Sequence, residues 1–157
     1  MVKFKQYLQE VQQTGDSNSS DYDRTDFYDS IKHHCKLILE ENDLQLQNYH
    51  DDWFLVKNNQ MIANVNGEID KLEGKKALFI TFIFSKERGM MKQLYKMMLN
   101  SKKIKYIVSD QMLSTDAIKF YKKIQNLYAV DLKNNIIDSP RGELFTNTEL
   151  RIAIKSI

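Results

Sequence analysis

The 157-residue sequence has one cysteine, one proline and no long apolar run. The single Cys35 cannot form an internal disulfide, which fits a reducing compartment. No apolar segment approaches the ~20 residues that a membrane-spanning helix needs. The N-terminus also lacks the apolar segment and small-residue cleavage site of a signal peptide. These absences predict a soluble, cytoplasmic protein without a membrane span.

Strong charge of one sign is also missing, because the formal net charge is only +2. A charge this small gives no reason to expect a nucleic-acid partner. Metal ligands are sparse as well. His33 and His34 are adjacent and would point in different directions on a helix, Cys35 offers no second ligand pair, and His50 stands alone. We therefore predict no metal site.

The length predicts one domain covering residues 1–157. Residues 1–24 are expected to form an irregular or flexible N-terminal segment, because Thr14 to Ser20 is a run of polar turn residues. Apolar or partly apolar residues then follow at spacings of 4, 3 and 4, which predicts a helix from about Thr25 to Glu41. These residues are Phe27, Ile31, His34 and Ile38.

A hairpin is predicted where two apolar segments flank a two-residue polar turn, Asn58-Asn59. The segments are Trp53 to Lys57 and Gln60 to Val65. The segment from Ala77 to Phe84 is apolar on both faces, which predicts a central strand covered on both sides. In a regular strand Leu78, Ile80, Phe82 and Phe84 would share one face.

The second half of the chain alternates helical and strand patterns. Helical spacing joins Met91, Leu94, Tyr95 and Met98, and later Ala117, Phe120, Tyr121 and Ile124. Strands are predicted at Tyr106 to Ser109, Tyr128 to Leu132 and Glu149 to Ile154. The order predicts an α/β fold, a mixed central sheet of about six strands with helices on both faces.

Two turns in this half carry residues suited to chemistry. The first turn joins the central strand to a helix and has the sequence Ser85-Lys86-Glu87-Arg88-Gly89. Exposed backbone amides at the start of such a helix can bind an anion. Lys86, Arg88 and Lys92 would add positive charge for a pyrophosphate. The second turn leads into a predicted helix, and together they have the sequence STDAIKFYKK, residues 114–123.

These two motifs, in strand–helix–strand–helix order, resemble the acyl-CoA-binding core of the GNAT superfamily of N-acetyltransferases. The resemblance implies a GNAT-like fold and acetyl-CoA as cofactor. Arg88 and Gly89 match the family's first turn, whereas Met91 and Gln93 stand where the family has small residues. The cofactor-binding residues that the resemblance implies are Arg88, Gly89, Met90, Met91, Lys92 and Ser114.

The resemblance also implies catalytic roles. Tyr121 matches the family tyrosine that protonates the leaving thiolate, a role that suits a phenol of pKa ~10. Its alternative is a core aromatic at helical spacing, as for Phe120. Asp110, at the carboxyl end of a short strand, could accept a proton from a substrate amine or merely cap a helix. Glu68 and Asp70 are rival bases.

Two functions follow from these motifs. The first is acyl-CoA-dependent N-acyl transfer to a primary amine, with acyl-CoA and the amine acceptor as partners. The alternative is a catalytically inactive GNAT-fold scaffold that binds other protein chains, because Met91 and Gln93 would fill the space a pyrophosphate needs. The chain is also loosely similar to the small GNAT-like internal virion proteins of short-tailed phages, which would place such a scaffold inside a phage particle.

Overall fold

The central feature of the fold is one nine-stranded mixed sheet. A computed structural model describes residues 23–111 and 113–157. The expected irregular segment 1–24 therefore lies almost wholly outside the described residues. The strands are β1 (Lys36–Glu41), β2 (Leu44–Tyr49), β3 (Asp52–Lys57), β4 (Gln60–Leu72), β5 (Lys75–Ser85), β6 (Tyr106–Val108), β7 (Leu127–Val130), β8 (Ile136–Ile137) and β9 (Arg151–Ile154).

Three α-helices accompany the sheet in the described ranges: α1 (Thr25–Ile31), α2 (Met90–Asn100) and α3 (Thr115–Lys122). Short 3₁₀ turns occur at Lys32–His34 and Arg141–Phe145. The three α-helices have 7, 11 and 8 residues. Within the described part of the chain, none of the helices has the length and apolar content that crossing a bilayer requires.

The strands lie in the order β1-β2-β3-β4-β5-β6-β9-β7-β8. Among these nine described strands, β5 and β6 pair in parallel and the other neighbours are antiparallel. The mixed α/β class and the central position of β5 confirm the sequence prediction. The expected number of about six strands is wrong, because β1, β2 and β8 were not recognised.

The predicted long helix from Thr25 to Glu41 is also wrong in its second half. The α-helix ends at Ile31, and residues 36–41 form β1, which pairs with β2. Leu39 lies opposite the fully buried Leu46 in this pairing. Pairing with a buried strand therefore overrides the helical spacing of a short apolar segment, a known ambiguity of such segments.

The predicted β3–β4 hairpin is confirmed. Lys57 pairs with Gln60, and the turn residues Asn58 and Asn59 have φ angles of 50° and 65°. Two consecutive positive φ angles are typical of the type I′ turn, whose twist matches that of the flanking strands. Asparagine tolerates this backbone better than other non-glycine residues.

A β-bulge in β5 changes which side chains share a face. Asn66 pairs with Phe82 and Gly67 with Ile80, so Thr81 is an extra residue without a partner in β4. The bulge reverses the alternation of side chains beyond it. The expectation that Leu78, Ile80, Phe82 and Phe84 share one face is therefore wrong.

The two faces of the sheet have separate cores. Leu78 and Ile80 pack in the main cluster with Leu94 of α2 and Tyr121 of α3. On the opposite face, Phe84 packs with Phe54, Met61 and Tyr28 of α1. Helices therefore cover parts of both faces, as the sequence predicted. A third cluster on the α1 face includes Leu72, Ala77, Tyr106, Val108, Val130 and Ala153.

A polar network fastens the start of α1 to the sheet. Asp52, which is 6% exposed, accepts hydrogen bonds from Arg24 at 3.2 Å, from Asn64 at 3.2 Å and from Asn66 at 3.1 Å. The Arg24 guanidinium also lies 4.8 Å from the ring centre of Phe82. Because the buried carboxylate is paired and hydrogen-bonded, the cost of removing it from water is offset.

Gly67 lies opposite the bulge and provides a test of how tightly that region is packed. A Cβ atom at this position would lie 2.5 Å from the backbone carbonyl oxygen of Phe79. Gly67→Ala should therefore lower the free energy of unfolding by about 1–3 kcal/mol, as overpacking does. Urea denaturation measures the change.

Gly142→Ala is the matched control, because a Cβ atom there meets no atom within 4 Å. It should change the free energy of unfolding by less than about 0.5 kcal/mol. Equal stability of the two alanine variants would contradict the close approach of β4 and β5 at the bulge.

Candidate functional site

The candidate site lies where β5 and β6 separate. The two strands pair only from Ala77–Tyr106 to Phe79–Val108, after which β6 ends and β5 continues to Ser85. A cavity of about 190 Å³ opens beyond the last pair. Its walls come from β5, α2, α3 and the segment after β6: Ile80, Ile83, Met91, Tyr95, Ser109, Asp110, Leu113, Ser114, Asp116, Ala117, Phe120 and Tyr121.

Helix α3, which carries Tyr121, is held at both ends. At its start the Ser114 hydroxyl oxygen accepts a hydrogen bond from the Ala117 amide at 3.0 Å, a typical N-cap. At its end Arg141 donates through Nη2 to the carbonyl oxygens of Lys122 at 2.9 Å and Ile124 at 2.7 Å. These contacts fix the position from which Tyr121, only 4% exposed, reaches the cavity wall.

The Tyr121 hydroxyl is kept protonated by its surroundings. Burial raises the pKa of Tyr121 far above its ordinary value, and the negative charge of Asp110 raises it further. Burial also raises the pKa of the neighbouring Tyr95, and ionisation of Tyr121 would oppose that of Tyr95. At neutral pH both phenols therefore keep their protons.

Asp110 reaches the cavity from a well-anchored segment. The preceding Ser109 donates its amide to the Ile152 carbonyl oxygen at 2.7 Å, and its hydroxyl accepts from the Ile152 amide at 2.8 Å. One carboxylate oxygen of Asp110 accepts a hydrogen bond from the Gln111 amide at 2.8 Å. The side chain is half-buried. The rival bases Glu68 and Asp70 are exposed on β4 and do not line the cavity.

The turn before α2 lies beside the cavity rather than inside it. Arg88 and Gly89 are exposed, and Gly89 has a φ angle of 82°, which glycine adopts readily. Met90 packs partly against the main core. Met91 is the residue of this turn that lines the cavity, whereas Lys92 lines a second cavity of about 300 Å³.

The structure therefore brings together only part of the residue set derived from the sequence. Tyr121, Asp110, Ser114 and Met91 share one cavity, whereas Arg88, Gly89, Met90 and Lys92 do not line it. Sequence reasoning missed Ile83, Leu113 and Asp116. Ile83 faces the cavity because of the bulge, and the bulge left no signal in the sequence. Asp116 had a signal, because it is an acidic residue one helical turn before Phe120 and Tyr121.

No group of three or more histidine, cysteine, aspartate or glutamate side chains is arranged to hold a metal ion within residues 23–111 and 113–157. His33 and His34 belong to the 3₁₀ turn after α1. Cys35 is half-buried there as a free thiol.

Comparison with known proteins gives a limited result. No protein-family model matches the sequence, and no curated protein matches it. Among solved structures, the fold is similar to an acetyltransferase from Streptococcus agalactiae, with 13% sequence identity and a TM-score of 0.38. The similarity covers 84% of this chain and 75% of that chain.

The protonation of Tyr121 can be tested through the pH dependence of stability. Its pKa is higher in the folded than in the unfolded chain, so the folded chain retains a proton that the unfolded chain releases above pH ~10. Below that pH, the difference in pKa makes its full contribution to the free energy of unfolding. This contribution is lost with rising pH at about 1.4 kcal/mol per unit.

Tyr121→Phe should remove this part of the alkaline dependence. Urea denaturation of both proteins at several alkaline pH values should therefore give a shallower decline for the variant than for the wild type. Because groups that do not interact with Tyr121 titrate equally in both proteins, their contribution cancels in the comparison. Parallel declines would show that the Tyr121 phenol is not buried.

Proposed function

We propose that the protein is an N-acyltransferase, which moves an acyl group from a pantetheine thioester such as acetyl-CoA to a primary amine. The observation that carries this proposal is the cavity at the separation of β5 and β6. It has mostly apolar walls, a buried neutral phenol from Tyr121 and a carboxylate from Asp110. Proton donor and proton acceptor thus face one apolar space, an arrangement suited to transfer between two neutral reactants.

The dimensions of the cavity fit the reacting end of the donor. An apolar cavity of ~150 Å³ can hold a benzene molecule, so about 190 Å³ can hold an acyl thioester and the adjoining methylene groups. Arg88 and Lys92 are exposed just before and within the first turn of α2, whose Met91 lines this space, and their positive charges could bind phosphate groups.

When bound, the thioester supplies an electrophilic carbonyl carbon and a sulfur leaving group. Asp110 would take a proton from the acceptor amine, directly or through water, while the amine nitrogen bonds to the carbonyl carbon. Tyr121 would give its proton to the sulfur as the carbon–sulfur bond breaks. Return of a proton from Asp110 to Tyr121 through solvent restores both groups, and the products are an amide and a thiol.

The scaffold alternative depends on a filled cleft. Met91 lines the cavity, yet about 190 Å³ remains open beside it, and Gln93 does not reach the cavity wall. The open space supports the acyltransferase over the scaffold. Residence in a phage particle stays a prediction of the sequence alone.

Binding of acetyl-CoA is the first test. A ligand at a hundredfold excess over its dissociation constant stabilises the folded state by ~2.7 kcal/mol. For a chain of this size we therefore expect the melting temperature to rise by about 5–10 °C. Thermal unfolding with and without millimolar acetyl-CoA measures the shift.

Adenosine 3′,5′-bisphosphate is the control ligand, because it keeps the 3′-phosphate and the first 5′-phosphate of the nucleotide but lacks the second 5′-phosphate and the pantetheine arm. It should give a smaller shift, since it places nothing in the cavity. No shift with acetyl-CoA at millimolar concentration would rule out acetyl-CoA as the donor, and no shift with any pantetheine thioester would rule out the proposed function.

The role of Tyr121 is tested by Tyr121→Phe, which keeps the ring and removes the hydroxyl. Loss of a general acid typically slows the chemical step by about 10²–10⁴-fold. The rate of thiol release from acetyl-CoA, measured with free amino acids, polyamines and lysine peptides as acceptors, should fall accordingly.

Tyr106→Phe is the control, because Tyr106 is another buried tyrosine but packs in the third cluster, away from the cavity. Its rate should stay close to that of the wild type. An undiminished rate in Tyr121→Phe would show that another group protonates the thiolate.

A further inference from the structure

Positive charge is concentrated in one part of the chain, although the whole chain is nearly neutral. Residues 86–123 contain ten lysines and arginines but only three aspartates and glutamates, a net charge of +7. The whole chain carries +2, so the remaining residues together carry −5. This segment is the one that forms α2, β6 and α3 around the cavity.

Five of these cations lie on α2, in the turn before α2, on α3 and directly after α3, and we name them the basic rim: Arg88, Lys92, Lys96, Lys119 and Lys123. All five are exposed. Lys92 and Lys123 line the same second cavity, which joins the α2 and α3 parts of the rim. That cavity shares the Phe120 wall with the candidate site. Lys96 and Lys119 each lie one helical turn further along the same faces.

The basic rim is not neutralised within the described part of the chain. The ion pairs found there join Arg24 to Asp52, Lys32 to Asp29 and Lys57 to Asp43, and none includes a rim residue. Three carboxylates belong to the same segment: Glu87 before α2, and Asp110 and Asp116 at the cavity wall. Since five cations outnumber these three carboxylates, the rim presents positive charge to an approaching molecule.

We propose that the basic rim docks a small acidic carrier protein whose phosphopantetheine arm delivers the acyl thioester into the cavity. This inference rests on the proposed acyl transfer and names the source of the acyl group. The chemistry is unchanged: the amine nitrogen replaces sulfur on the carbonyl carbon, and the sulfur leaves as the carrier's thiol.

The turn before α2 favours a carrier over a free nucleotide. A pyrophosphate needs small residues for close approach of the backbone, but this chain has Met91 and Gln93 after Gly89. A carrier-bound arm has a single phosphate to place. Complementary charge between an acidic surface and the rim would then select the partner and accelerate association.

Calorimetry with a bacterial acyl carrier protein bearing an acetyl-phosphopantetheine arm tests the proposal against acetyl-CoA. We expect the loaded carrier to bind at least tenfold more tightly at low salt, with affinity falling as salt is added. The double variant Lys96→Glu, Lys119→Glu should weaken carrier binding at least tenfold. It should leave acetyl-CoA binding unchanged, because neither residue lines the cavity.

Lys71→Glu, a charge reversal at an exposed position on β4 outside the rim, is the matched control and should bind the carrier like the wild type. Carrier binding no tighter than that of acetyl-CoA would overturn this inference and leave the proposed function standing. Binding of neither donor would overturn both. Tighter binding of a DNA duplex or of anionic lipid vesicles than of the carrier would assign the rim to a different partner and also overturn the inference.

Discussion

The extra residue Thr81 in β5 is the constraint on which the candidate site depends. Before the bulge, Ile80 faces α2 and α3; beyond it, Ile83 takes that direction, and Phe82 and Phe84 turn to the α1 face. One inserted residue therefore gives the cavity its aliphatic wall and gives α1 its aromatic partners. The bulge lies just past the last pair of β5 with β6, where the two strands stop sharing hydrogen bonds and a cavity can open.

The opposite face supports this arrangement. Arg24 bonds to Asp52 and Asn64 and stacks on Phe82, so the polar network covers the side chains that the bulge turned away from the cavity. A well-packed face behind the bulge keeps β5 from sliding back into register. On the cavity side, Arg141 and Ser114 hold the two ends of α3. The site is thus defined by fixed elements, and the space between them remains open.

Charge and polarity are arranged differently at the site and around it. The cavity wall is mostly apolar and raises the pKa of Tyr121 by burial, whereas the surrounding basic rim stays in water. An apolar wall favours neutral reactants, and an exposed rim attracts anionic partners over a longer distance. A net charge of +2 for the whole chain conceals this division. The prediction drawn from net charge, that a nucleic-acid partner is not expected, takes no account of this division.

The sequence by itself determined the elements with strong local signals. The Asn58-Asn59 hairpin, the doubly apolar strand around Leu78 and the helices carrying Met91 and Tyr121 follow from turn chemistry and periodicity, which act between near neighbours in the chain. It also singled out Tyr121 and Asp110 as candidate catalytic residues. Only the tertiary structure decided that residues 36–41 form a strand, that Phe82 turns away from Ile80, and that Arg88 lies outside the cavity that Met91 lines. These outcomes depend on pairing and packing between segments distant in sequence, and such contacts leave no periodic pattern in the chain.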